Sequence, residues 1–175
     1  MQKYIDTAVE QFKTLITEQL ERQNRMEKDA GAKDFTNMEK IVIGVCGGDG
    51  IGPIISESAV KVMKHLLADE IASGKVEIRV IEGLTVENRL AQGKAIPDDL
   101  LAELKACHVI LKGPTTTPQK GSGMPNIESA NVAMRKELDL FANIRPVKVP
   151  EEGINWTIFR ENTEGEYVLG SRGVE

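Results

Sequence analysis

Apolar residues recur at steps of three and four near the start of the chain: Ile5, Val9, Phe12, Ile16 and Leu20, with charged and amide side chains between them. That period puts one apolar stripe on a helix over residues 3–29. Past Leu20 the stripe fades into Arg22, Gln23, Asn24 and Arg25, and residues 30–34 read as a linker. Either the helix packs on its own domain or it is an arm that docks on a second subunit; the pattern allows both.

From Ile41 the pattern changes to short apolar runs separated by turn residues. IVIGV reads as a buried strand, CGGDGIGP as a Gly-rich turn, and Pro53 to about Asp69 as a helix with Pro in its first turn. Val76–Ile81 and His108–Leu111 read as strands, with short helical pieces at Thr85–Ala91 and Asp98–Leu104. Strands alternating with helices predict parallel βαβ units and an α/β class. Gly113–Asn126 holds three Thr, three Pro and three Gly, a long polar loop of the kind that often carries function. A helix over Ser129–Leu138 follows, then a strand over Leu140–Ile144 that should end at Arg145-Pro146. Trp156–Phe159 is a further strand-like run, leading into a charged turn.

Composition narrows the function classes. With 175 residues, the chain can bury a core. Its net charge of −5 gives no general attraction to nucleic acid or to an anionic membrane. No apolar run approaches the roughly 20 residues of a membrane span. The first helix carries Asp6, Glu10, Glu18 and Glu21 and has no apolar signal core, so a cytoplasmic location is expected. Cys46 and Cys107 fit two buried, reduced thiols.

Gly48-Asp49-Gly50-Ile51-Gly52 follows a strand and opens a helix, but it fails the dinucleotide fingerprint. Pro53 stands where the third Gly is required, and Glu82 comes too late to be the ribose acid. Several glycines in a row still allow a backbone or a ligand to approach closely. In ESANVAMRKELDLFANIRPVK, Asn131 and Arg135 are helical i, i+4 neighbours, and Ser129 sits at the helix N-terminus, where an anion is favoured. Arg145 and Arg160 end two later strands. Three arginines with bidentate geometry suit a polyanionic substrate, although surface pairing with nearby acids is the simpler account. Tyr167 can donate a proton to a developing enolate.

Four stretches occur together and in order: GDGIGP at 48–53 with its flanking glycines, LKGPTTTP at 111–118, SANVAMRKELDLFANIRP at 129–146, and FRENTEGEY at 159–167. From Ile41 onward the chain resembles the isocitrate and isopropylmalate dehydrogenases, metal-dependent β-decarboxylating enzymes. The resemblance implies a partial isocitrate dehydrogenase-like α/β fold, a mainly parallel sheet flanked by helices, with an N-terminal helical arm. It divides the chain into an arm and linker (1–35), the first part of a large α/β domain (36–140) and the start of a small domain (141–175).

The resemblance also implies roles. Ser129, Asn131, Arg135, Arg145 and Arg160 would bind isocitrate, and Tyr167 would be the proton donor. Thr116 and Thr117, with Ile51, would lie near the nicotinamide end of NAD or NADP. The ligands of an Mg2+ or Mn2+ ion, the catalytic Lys and the adenosine loop are expected beyond Glu175, so the chain reads as the N-terminal half of a longer enzyme, inactive alone. The Lys would come from the partner of a homodimer with a shared active site. Ser129 and Asn131 can hydrogen-bond a third carboxylate, which favours isocitrate over 3-isopropylmalate. Ile54, in place of a frequent Glu, and the long Gln119–Glu128 loop depart from the pattern. A different β-decarboxylating activity, a non-catalytic regulatory subunit or an interaction fragment are the alternatives.

Overall fold

The computed structural model describes the chain except for residues 29, 30, 32, 120 and 169–175. It forms two units: Phe35–Leu140, and Met1–Asp34 together with Phe141–Glu175.

In the first unit, β1 (Ile41–Cys46) is the middle strand of a parallel sheet. It pairs with β2 (Val76–Val80) on one side and β3 (Val109–Lys112) on the other, in the order β2-β1-β3. Parallel neighbours need crossovers, and helices supply them: α2 (Gly52–Leu66) and α3 (Ala68–Ala72) before β2, α4 (Val86–Gln92) and α5 (Asp98–Lys105) before β3. The sequence reads a single helix to about Asp69; the chain breaks it at Leu67, and no Gly or Pro there accounts for the break. Gly44 in the central strand has a packing reason. A Cβ there would stand 2.7 Å from Cys107 Sγ and 3.0 Å from Ile81 Cδ1.

The core joins Cys46 of β1, Ile81 and Leu84 after β2, Ile96, Leu100 and Leu104 on and beside α5, and Ala130, Ala133 and Met134 of α6 (Ala130–Glu137). The apolar positions of α6 fall at steps of three and four, so its buried face is fixed by sequence, and Leu138 packs against the same cluster. Both cysteines are free. Cys46 is fully buried and burial raises its thiol pKa to about 11, whereas Cys107 is only half-buried, so the expectation of two buried thiols holds for one.

The second unit holds α1 (Gln2–Lys28) and an antiparallel ribbon of β4 (Ala142–Val149) and β5 (Ile154–Glu161). β4 does not stop at Arg145-Pro146. Pro146 pairs with Thr157 and the strand continues to Val149. Both strands of a two-stranded ribbon have a free edge, and there a residue without an N–H is tolerated. The half-buried residues Ala8, Leu15, Glu18, Gln19 and Arg22 lie on one face of α1, and Arg22 donates to Glu164 Oε1 at 2.9 Å and to Thr163 Oγ1 at 3.3 Å. Ile5, Val9, Phe12, Ile16 and Leu20 are all exposed. The apolar stripe is therefore not what holds the arm to its own chain.

Candidate functional site

The Gly-rich turn and the polar loop after β3 are stitched together by one carboxylate. Asp49 Oδ2 accepts from the Thr116 amide at 2.6 Å, and Oδ1 accepts from the Val86 amide at the start of α4 at 2.8 Å. The Asp49 amide donates to Pro114 O at 2.7 Å. The glycines serve this close approach. Gly48 has φ +73°, and a Cβ on it would meet Pro114 O at 2.0 Å; a Cβ on Gly52 or Gly113 would meet Gly47 O at 2.0 Å. Backbone packing thus explains the Gly-rich run that the dinucleotide fingerprint failed to fit. Ile51 is exposed on the same turn, and Thr116 and Thr117 are exposed on the loop. These three flank one junction between the turn and the loop. A separate cavity of about 580 Å³, lined by Gly48, Ser56, Val60, Glu82, Gly83 and Thr85 among others, includes none of the three.

Lys112 and Arg89 belong beside them, and sequence reading passed over both. Lys112 Nζ donates to Gly113 O at 2.8 Å and Thr115 Oγ1 at 3.1 Å. Burial holds its ammonium below the ordinary lysine range, and the Arg89 and Arg135 charges lower it further, against the pull of Cys46 and Asp49. An Asp between two glycines at a strand-to-helix turn was a readable signal for Asp49. Nothing local marked Arg89.

Ser129 is the N-cap of α6 in an extended conformation, and its side chain makes no capping bond. Its hydroxyl is left for another acceptor or donor. Asn131 is exposed, and Arg135, four residues on, is half-buried with no ion pair among the described residues. The simpler account, in which each arginine is neutralised by a neighbouring acid, does not describe Arg135. Nor does it describe Arg145, whose Nε donates to Asn143 Oδ1 at 3.0 Å.

In the other unit, Arg145 stands opposite Ile158 and Arg160 opposite Asn143. Opposed residues share a face, so Arg145 and Arg160 are diagonal neighbours on one side of the ribbon. Neither ends its strand abruptly: Arg145 lies mid-strand and Arg160 one residue before the end of β5. Arg160 Nη2 donates to the Tyr167 hydroxyl at 2.6 Å, and its guanidinium lies 5.6 Å from that ring's centroid. Tyr167 is on a short 3-10 turn, Gly165–Tyr167. The expected substrate and proton-donor residues thus fall into two sets: Ser129, Asn131 and Arg135 on one helix, and Arg145, Arg160 and Tyr167 on one ribbon with its turn. The described residues hold no group of three or more His, Cys, Asp or Glu side chains able to take a metal ion. No described helix is long and apolar enough to cross a membrane.

The architecture is α/β, a parallel sheet flanked by helices, with arginines on one helix and on one ribbon. Residues 42–174 match the family described as isocitrate/isopropylmalate dehydrogenase, and the chain belongs to that family. It is 40% identical over 138 residues to an isocitrate dehydrogenase [NADP] of Caldococcus noboribetus, covering 74% of this chain and 31% of that protein. It is 34% identical over 140 residues to a 3-isopropylmalate dehydrogenase of Bacillus licheniformis, covering 71% of this chain and 37% of that protein. Among solved structures it is similar to a β-decarboxylating dehydrogenase of Thermococcus kodakarensis in its apo form, with a TM-score of 0.58, 34% identity, and coverage of 71% of this chain and 35% of that one. The chain spans about a third of the length of the curated relatives it matches.

Proposed function

We propose that the chain is part of a longer enzyme that oxidises and decarboxylates isocitrate to 2-oxoglutarate, with hydride transfer to NAD or NADP. Residues 36–140 would be the first part of its large domain, 141–175 the start of its small domain, and 1–35 an arm. The observation that carries this reading is the state of α6. The Ser129 hydroxyl makes no cap bond, Asn131 is exposed, and Arg135 makes no ion pair among the described residues. A helix start with uncommitted polar groups and a cation suits a carboxylate, and isocitrate has one where isopropylmalate has an apolar group.

Arg135, Arg145 and Arg160 bind substrate carboxylates in this mechanism, each with a planar fork of donors. Ile51, Thr116 and Thr117 would hold the nicotinamide end of NAD or NADP, which would supply the hydride acceptor. Tyr167 delivers a proton to the enolate left after CO2 departs, and Arg160 holds the phenol oxygen in place through its hydrogen bond. The Mg2+ or Mn2+ implied by the family resemblance would take its ligands from elsewhere in the longer enzyme, since the described residues hold no group of three or more His, Cys, Asp or Glu side chains able to take a metal ion. The active enzyme is a homodimer in a cytoplasmic setting. The test is the ratio of kcat/KM for isocitrate to that for 3-isopropylmalate in the full-length protein. We expect isocitrate to be preferred by about 100-fold or more, and Ser129→Leu to erode that ratio. A preference for 3-isopropylmalate overturns the reading.

A further inference from the structure

Arg89 is the largest fully buried side chain among the described residues, with no exposed surface at all. A buried guanidinium ordinarily has a carboxylate against it. Arg89 makes no ion pair among the described residues. Its three nitrogens instead donate to three backbone carbonyls: Nε to Ala95 O at 2.7 Å, Nη1 to Thr116 O at 2.7 Å, and Nη2 to Glu128 O at 2.9 Å. Burial lowers its pKa, and the charge of Asp49 draws it part of the way back.

The choice of acceptors is informative. A purely structural arginine could tie any two elements of the core. This one grips the polar loop at both ends, at Thr116 and, twelve residues later, at Glu128. Thr116 is held on its amide side by Asp49 at 2.6 Å and on its carbonyl side by Arg89, so both flanking peptides are fixed. Glu128 immediately precedes Ser129, the N-cap of α6. The planar fork gives its bonds fixed directions, which a lysine ammonium cannot reproduce.

We propose that Arg89 is a positioning residue that sets the spacing between the cofactor-contacting pair Thr116–Thr117 and the substrate-contacting start of α6 at Ser129–Asn131. This rests on the functional reading above. Arg89 touches neither ligand; it acts through the backbone. Hydride transfer is sensitive to the separation of donor and acceptor, so a loosened fork should slow turnover more than it weakens binding of either ligand alone.

Two measurements on the full-length protein test this. Hydrogen exchange compares Arg89→Lys with wild type at Thr116, Thr117 and Ser129, and at Val42 and Val45 of β1 as a reference. The loop amides should exchange about tenfold faster while the strand amides change little. Steady-state kinetics should show kcat for isocitrate falling about 10–100-fold, with the dissociation constants of isocitrate and of NADP, each measured alone, changing less than about threefold. Arg89→Ala with added methylguanidinium is the second variant, and partial recovery of kcat is expected. The proposal is overturned if loop exchange is unchanged, if strand and loop amides speed up equally, or if kcat survives a loosened loop. Wild-type protein that fails to oxidise isocitrate overturns the functional reading instead, and the exchange comparison then decides by itself whether Arg89 clamps the loop.

Discussion

Arg160 donates to the Tyr167 hydroxyl at 2.6 Å while its guanidinium stands 5.6 Å from the ring centroid. Seven residues separate the two, so the strand end and the 3-10 turn fold back on one another.

Tyr167→Phe in the full-length enzyme removes the proton and leaves the ring. We expect kcat with isocitrate to fall by about 10²–10⁴-fold, the usual contribution of a general acid, with the dissociation constant for isocitrate within about threefold of wild type. Near-normal turnover would sink Tyr167 as the acid.

The same turn contains a pH-sensitive lock. Burial pushes the Glu161 carboxyl up, but hydrogen bonds from the Thr163, Glu164 and Asn162 amides and the Thr163 hydroxyl outweigh it, and the net value lies below the ordinary 4.5. Thr163 N donates at 2.5 Å, Thr163 Oγ1 at 2.8 Å and Glu164 N at 2.9 Å. A depressed folded-state pKa means that the contribution is complete above the unfolded value and is lost as pH falls through the folded one. Exchange protection at Thr163 and Glu164 should therefore drop as pH falls below 4.5. In Glu161→Gln it should be low at neutral pH and insensitive to this change. Protection that persists at pH 3 would show that other contacts hold the turn.

What could be read from the sequence follows from how local each cause is. α6 and its core face come from Ala130, Ala133 and Met134 at helical steps, and β1 from an uninterrupted apolar run, so both were legible. The extent of β4 was not, because Pro146 is a stop signal in a central strand and permissible in a ribbon. The positions of Ser129, Asn131 and Arg135 on one helix were readable. The shared face of Arg145 and Arg160 required the register of the ribbon. Arg89 was invisible: in sequence it is one arginine in a polar helical segment, and its burial depends on carbonyls at Ala95, Thr116 and Glu128. The exposure of the α1 stripe was equally unreadable, since an amphipathic period says that a face is apolar and not what covers it.

Asp49 ties the start of α4 to the loop through two backbone amides. Hydrogen bonds to a charged acceptor contribute about 1.5–3 kcal/mol each. Asp49→Ala should lower stability by at least that of one bond, read as a lower urea midpoint, and should expose the Thr116 amide to exchange. Asp49→Asn keeps one carbonyl acceptor and should lose roughly half as much. An unchanged midpoint in Asp49→Ala would mean that solvent replaces both bonds without cost.

The arm α1 carries a second, exposed face. Ile5, Val9, Phe12 and Ile16 fall at steps of four, three and four, the spacing of a helix seam that packs against another helix. All four are exposed, and the half-buried residues Ala8, Leu15, Glu18, Gln19 and Arg22 lie on a separate face. The two faces can therefore be altered independently. If the stripe seals the proposed dimer, Phe12→Glu with Ile16→Glu, or removal of residues 1–30, should shift size-exclusion elution to a smaller species. Arg22→Ala should leave elution unchanged and loosen only the Thr163–Glu164 turn. Circular dichroism of the double variant should stay close to wild type, because both substitutions fall on the exposed side of the helix and Glu is a good helix former. An unchanged elution in both altered chains would show that the arm does not set the oligomeric state.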